Sequence, residues 1–243
     1  GGLMNRKWCA VFDCDGTLIS KSYGALCDVV DGSVISAEGH KKAEEMRKRY
    51  FAAIRAGFFR KEDQEKWMAE TIEIYKHYGL TLRKINYALR NVKVRPGVKE
   101  CFHLLQEKGI PVAIVSYGVT EFIETLLKVN GLLKMVDRIY AADLLINSQG
   151  KLFGFCRESA VYPDNKGEYS RRFADRHGVS YRNILAVGDS PHGDGKLGYL
   201  KKNRFGIAKD ESQKQKLAEV MGAVAVTENF KPVIEWILEK IKV

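Results

Sequence analysis

Asp13 and Asp15 stand two residues apart in Phe12-Asp13-Cys14-Asp15-Gly16-Thr17-Leu18. At the end of an extended strand, carboxylates at that spacing point the same way and repel each other. A divalent cation would reverse the balance, because magnesium takes oxygen ligands and commonly joins one or two carboxylates to a substrate phosphate. The plain alternative is a solvated turn, since Asp-Gly is a common turn dipeptide.

Three other places could join that chemistry. Asp189 lies in Gly188-Asp189-Ser190-Pro191-His192-Gly193-Asp194. Its glycines allow close backbone approach, and Asp194 could complete or support a metal site; the glycines and proline also suit an ordinary loop. His192 reads as a loop histidine. Ser116, in Val115-Ser116-Tyr117-Gly118 ahead of a helical stretch, could cradle a phosphate or simply cap the helix. Lys166, in Asp164-Asn165-Lys166-Gly167-Glu168, is one of forty lysines and arginines. A solvated charge and a phosphate-neutralising role both fit it.

The elements that must position these residues follow from periodicity. Residues 7–12 form an apolar run that stops at Asp13, residues 110–115 a second that stops at Ser116, and residues 183–187 a third that stops before Gly188-Asp189. Short apolar runs of this kind suit strands of a parallel sheet, buried on both faces. Further strands are expected at 138–142, 205–208 and 223–227. Helices are expected from Pro96 through Leu105, after Gly118 through Leu127, at 166–176, from Ser212, and at the end to Ile241. Asn147-Ser148-Gln149-Gly150 between apolar stretches predicts a hairpin. The alternation predicts an α/β fold with a doubly wound parallel sheet, in which polar strand ends converge at the carboxyl edge.

Residues 20–95 have a different texture, with few strand signals and helical spacing over 38–59, 62–79 and 82–91. They read as a small all-helical domain inserted after the first strand, with 1–19 and 96–243 forming the α/β core. The insert carries 16 Lys and Arg against 10 Asp and Glu.

Composition narrows the functional classes. The formal net charge is +10. That favours anionic ligands, yet the basic residues are interspersed with acids and no nucleic-acid-binding signature is present, so nucleic acid is not expected and attraction of a small phosphorylated substrate explains the charge equally well. Five scattered cysteines match neither a zinc site nor a disulfide framework. No apolar run reaches membrane-spanning length and no signal-peptide pattern opens the chain, so a cytoplasmic protein without a membrane partner is expected. Gly1 to Leu3, ahead of Met4, read as an expression scar. The oligomeric state is not legible.

With these motifs in order, the chain resembles the haloacid dehalogenase superfamily, and specifically its phosphatases with a helical cap, such as the phosphoserine phosphatases. The resemblance implies a magnesium-dependent phosphomonoesterase. Asp13 would attack phosphorus to give a phosphoaspartate, and Asp15 would serve as general acid and base. Magnesium would be held by Asp13, the backbone carbonyl of Asp15, and Asp189, supported by Asp194 and Gly188. Ser116 and Lys166 would hold the phosphoryl oxygens, with Tyr117 counted beside them. Dehalogenases generally lack the second aspartate, so Asp15 points to phosphoryl transfer to water.

Two departures bear on the substrate. Phosphoserine phosphatases carry a glutamate where this chain has Ser22, and commonly Ser-Gly-Gly where it has Ser116-Tyr117-Gly118. A basic cap with Tyr50, Phe58, Phe59, Trp67 and Tyr75 could admit a nucleotide or another polyanionic monoester, although most of those aromatics read as the cap's own core. Phosphoserine phosphatase and 5'-nucleotidase are therefore both alternatives. A glycosyltransferase that uses an Asp-x-Asp motif, and a catalytically silent binding protein on the same fold, are the rivals from other classes.

Overall fold

Cys9–Phe12 (β1) is fully buried and becomes the centre of the main sheet. The protein is described by a computed structural model over residues 7–242; Gly1 to Leu3 lie outside the described residues. Four helices follow β1: Leu26–Val34 (α1), Ala37–Arg55 (α2), Lys61–His77 (α3) and Leu82–Leu89 (α4). Val98–Glu107 (α5), Val112–Val119 (β2), Thr120–Val129 (α6) and Arg138–Ala142 (β3) come next. A hairpin, Leu144–Ile146 (β4) with Leu152–Phe155 (β5), then leads to Lys166–Arg176 (α7) and Ile184–Gly188 (β6). The chain closes with Arg204–Ala208 (β7), Glu211–Ala218 (α8), Ala223–Val226 (β8) and Lys231–Ile241 (α9).

The six main strands are parallel in the order β3-β2-β1-β6-β7-β8. The chain therefore builds outward from β1 on one side and from β6 on the other, which makes the β1–β6 boundary the topological switch point. Ligands of open α/β sheets bind at the carboxyl ends of strands at such a point. Alternate residues of each strand serve opposite faces. Ala10, Phe12, Val112, Ile114, Leu185 and Val187 join one apolar core, and Cys9, Val11, Ala113, Val115, Ile184 and Ala186 join a second core that contains Tyr169, Phe173 and Ala174 of α7. Burial on both faces explains why these strands read as continuous apolar runs.

The boundaries shift in places. The second strand runs to Val119, past the expected stop at Val115, so Ser116 lies within β2 and does not cap a helix. α5 starts at Val98, after Gly97 in the left-handed region at φ 90°, two residues later than Pro96. Helical spacing in the sequence does not mark α1. Its sequence holds Val29, Val30, Gly32 and Val34, all poor helix formers; it is fixed by Asp28 accepting the Ala25 N–H at 2.7 Å and by burial of Leu26, Val30 and Asp31.

The stretch 20–95 holds four helices, α1 in addition to the three expected spans, and its apolar faces divide. Met46, Tyr50, Ile54 and Phe59 form a cluster of their own, with Trp67 stacked 5.4 Å from Tyr50. Met68, Ile72, Tyr75, Ile85 and Leu89 instead join the larger core under the sheet. Phe58 is exposed. The hairpin also meets the insert, where Leu82 donates its N–H to the Gly150 carbonyl at 3.1 Å.

The hairpin's entry depends on Glu121, whose two carboxylate oxygens accept the Leu144 N–H at 3.0 and 3.1 Å. Burial outweighs that bond and pushes the carboxyl up to about 7. A carboxyl raised by folding stabilises the native state while protonated, fully below its unfolded value, and that contribution is lost as pH rises through the folded value. Glu121→Gln keeps an acceptor and removes the ionisation. Its melting temperature is expected to exceed wild type near about pH 8, with the gap closing toward about pH 5. A gap that does not change across that range would assign the effect to packing.

Candidate active site

Asp13 follows β1 directly, and its N–H continues the ladder to the Val187 carbonyl of β6 at 3.0 Å. Its carboxylate is buried. Oδ1 accepts Lys166 Nζ at 3.1 Å, and the Thr17 hydroxyl lies 3.5 Å from Oδ2. The same hydroxyl is 3.2 Å from Asp189 Oδ1, so fully buried Thr17 ties the first motif to the end of β6. One carboxylate oxygen from each of Asp13, Asp189 and Asp194 lies within 4.8 Å of the other two.

The loop that allows this needs glycine at two places. Gly16 has φ 75°, and a Cβ there would fall 2.2 Å from Asp189 Oδ2. At Gly188 a Cβ would fall 2.3 Å from the Cβ of Asp194, so the absence of a side chain lets Asp194 pass beneath the strand end. Asp194 Oδ2 then accepts the N–H groups of Asp189 and Ser190, both at 2.9 Å, while its Oδ1 takes Lys166 Nζ at 2.7 Å. Gly188 and Asp194, both expected to support the site, meet at this contact.

Electrostatics concentrate here. Burial and the charges of Asp194 and Asp189 push Asp13 well above the usual carboxylate range, against the pull of Lys166. Asp189 is raised for the same reasons, burial first and then Asp194, with Lys21 opposing. Burial alone would lower Lys166, but Asp13 and Asp194 more than offset it and hold the ammonium well above the usual lysine value. Asp15 stands apart from the three-acid group. Its Oδ1 accepts the Leu26 N–H at 2.8 Å, and burial outweighs that bond to push it up to about 6. The two aspartates of one motif thus sit in different environments, the arrangement that separates acid and nucleophile roles.

Ser116 and Tyr117 line the same cavity, of about 730 Å³. Ser116 Oγ accepts the Gly118 N–H at 3.0 Å. The Tyr117 ring lies 4.1 Å from Lys166 Nζ, a cation–π contact. Its hydroxyl is buried without a hydrogen-bond partner among the described residues, and the side chain packs against the core that holds Val115 and Tyr169 as well as against the lysine. Arg47, Phe51, Ile54 and Trp67 form the wall on the insert side; Lys209 and Lys216 lie on the α8 side.

The sequence model of the haloacid dehalogenase-like hydrolases matches residues 10–194. The chain belongs to that family. A phosphoserine phosphatase of Archaeoglobus fulgidus is 27% identical over 184 residues, which are 76% of this chain and 48% of that protein. The chain thus spans about half the length of this relative. A phosphoserine phosphatase of Methanocaldococcus jannaschii is 24% identical over 185 residues, 76% of this chain and 78% of that one. In fold, the chain is similar to cytosolic 5'-nucleotidase IIIB bound to cytidine, with a TM-score of 0.75 at 18% identity over 96% of this chain and 85% of that one.

Within this haloacid dehalogenase-like core, every strand-end residue singled out in the sequence meets at one cavity. Three further residues act there without having been assigned a role. Thr17 carries the bridge described above. Arg95, almost fully buried, donates to the Gly16 carbonyl at 2.9 Å and to Glu228 Oε2 at 3.0 Å, so it fixes the first motif's loop from behind. Lys21 Nζ lies 3.2 Å from Asp189 Oδ2. Only Thr17 had a sequence signal, through its place in the motif. His192 lines the cavity as a loop residue.

Proposed function

We propose that this chain is a magnesium-dependent phosphomonoester hydrolase that works through a phosphoaspartate on Asp13 and acts on a small phosphorylated metabolite. The observation that carries the reading is the grouping of Asp13, Asp189 and Asp194 beside the buried ammonium of Lys166 at the sheet's switch point. A structural protein gains nothing from three carboxylates packed this closely, and burial first, then the acidic neighbours, raises the protonation equilibria of Asp13 and Asp189. The donor set is all oxygen, which suits magnesium rather than a softer metal. Asp13, Asp189 and the backbone carbonyl of Asp15 would hold it, with Asp194 bracing the loop. Once bound, magnesium would offset charge on the phosphoryl oxygens.

The chain's own groups account for the rest. Asp13 attacks phosphorus and forms the acyl phosphate as the ester oxygen leaves. Asp15, held near 6, gives its proton to that oxygen and later takes one from the water that cleaves the phosphoaspartate. Ser116 and Lys166 hold phosphoryl oxygens, and Tyr117 steadies Lys166. Residues 20–95 act as the cap that excludes water and reads the rest of the substrate.

Among monoesters, one larger than phosphoserine fits best. Ser22 offers no carboxylate for a substrate amine, and the cavity has an aromatic wall of Phe51 and Trp67. Phosphate release from p-nitrophenyl phosphate, phosphoserine and a set of 5'-nucleotides tests this. Turnover is expected with magnesium and not with EDTA, with nucleotides ahead of phosphoserine. Failure to hydrolyse any monoester while the protein is folded would favour the silent binding protein.

A further inference from the structure

Asp189 and Asp13 have counter-ions of different kinds. Lys166, which serves Asp13 and Asp194, is 1% exposed and locked between them. Lys21, which serves Asp189, is 29% exposed and approaches from the cavity side. Its backbone is well held. Tyr23 N–H donates to the Ser20 carbonyl, Gly24 N–H donates to the Lys21 carbonyl, and Ser20 Oγ donates to Glu228, the same carboxylate that binds Arg95. The remaining polar atoms of Asp189 are taken. Oδ1 accepts from Thr17, its carbonyl from Gln213 at 3.0 Å, and its N–H donates to Asp194.

Charge balance then constrains what happens on metal binding. Three carboxylates against two ammoniums leave one negative charge in the group. Adding a divalent cation while Lys21 stays in place would make the group net positive and would set two cations on one carboxylate. Lys166 is almost fully buried and held by two carboxylates, whereas Lys21 is a compact charge on a flexible four-carbon stem at the cavity's edge.

We infer that Lys21 is a built-in competitor for the metal: its ammonium occupies Asp189 in the metal-free protein and must give way before magnesium can use that carboxylate. This rests on the magnesium reading proposed above. Lys21 therefore lowers metal affinity and stabilises the empty site, so the protein stays folded without metal and loads only at a magnesium concentration high enough to displace it.

Calorimetric titration of magnesium into the metal-free full chain, with thermal melting in EDTA, tests the inference. Lys21→Met is expected to bind magnesium tighter than wild type by roughly fivefold or more, the order of one partly exposed charge pair plus relief of cation–cation repulsion. It is also expected to melt lower in EDTA, with the deficit removed at saturating magnesium. Lys21→Arg, which keeps the charge, should stay close to wild type in affinity. Equal or weaker binding in Lys21→Met, with wild-type binding intact, would overturn the inference and leave the magnesium reading standing. If neither protein takes up magnesium, the metal reading itself fails and this inference with it. In that case Asp189→Asn would also leave the titration unchanged, whereas a functioning site would lose affinity.

Discussion

Asp13→Asn is expected to release phosphate at least about ten-thousandfold more slowly than wild type, because an amide cannot form the covalent intermediate. Its fold should not suffer. Desolvation, Asp194 and Asp189 all disfavour a charged Asp13 carboxylate, so a neutral amide removes repulsion while its oxygen can still accept from Lys166. The metal-free melting temperature should therefore match or exceed wild type, which separates this variant from one that is inactive because it unfolds. Rapid acid quenching with labelled substrate provides the second readout. Label should remain on wild-type protein and be absent from Asp13→Asn. An unlabelled wild type with normal turnover would mean that water attacks phosphorus directly and that Asp13 serves only as a metal ligand.

That Asp13 could be singled out at all reflects how parallel sheets are written in sequence. β1 and β6 are buried on both faces, so each appears as an apolar run that ends where the chain emerges at a polar residue. The carboxyl ends of such strands share one edge. Asp13, Ser116 and Asp189 could thus be grouped from residues far apart in the chain. Asp194 came with the glycine-containing loop after Asp189, whereas Lys166 needed the family's motif order, since one basic residue among forty has no local mark. What periodicity cannot give is the partner of an apolar face. The spacing of Ile72, Tyr75, Ile85 and Leu89 predicts helices correctly, but whether they pack within the insert or under the main sheet is a tertiary matter. α1 escaped for a related reason, because its weak intrinsic propensity is overridden by a local cap and by burial. Lys21 and Arg95 were invisible because their roles are contacts to loops that only the folded chain brings near.

Lys166→Met tests whether the buried ammonium is both structural and chemical. The substitution nearly preserves chain length and apolar stem but leaves Asp13 and Asp194 without the charge they share, beside a third carboxylate. Breaking a buried pair by removing one partner costs about 3–5 kcal/mol, because the remaining charge is left uncompensated. Urea denaturation in EDTA should show a loss of that order, and magnesium should restore part of it by binding the native acids. Phosphate release with saturating magnesium should nonetheless fall by roughly a hundred- to a thousandfold, since a preorganised charge on the phosphoryl oxygens is gone. Adding Asp194→Asn separates the two effects. The double variant removes one orphaned carboxylate and should recover stability non-additively, yet it supplies no cation to the phosphoryl group and should stay inactive. Unchanged stability in Lys166→Met would mean that the acids are already neutralised by protons. Lost stability with undiminished turnover would confine Lys166 to holding the loop of Asp194 against β6.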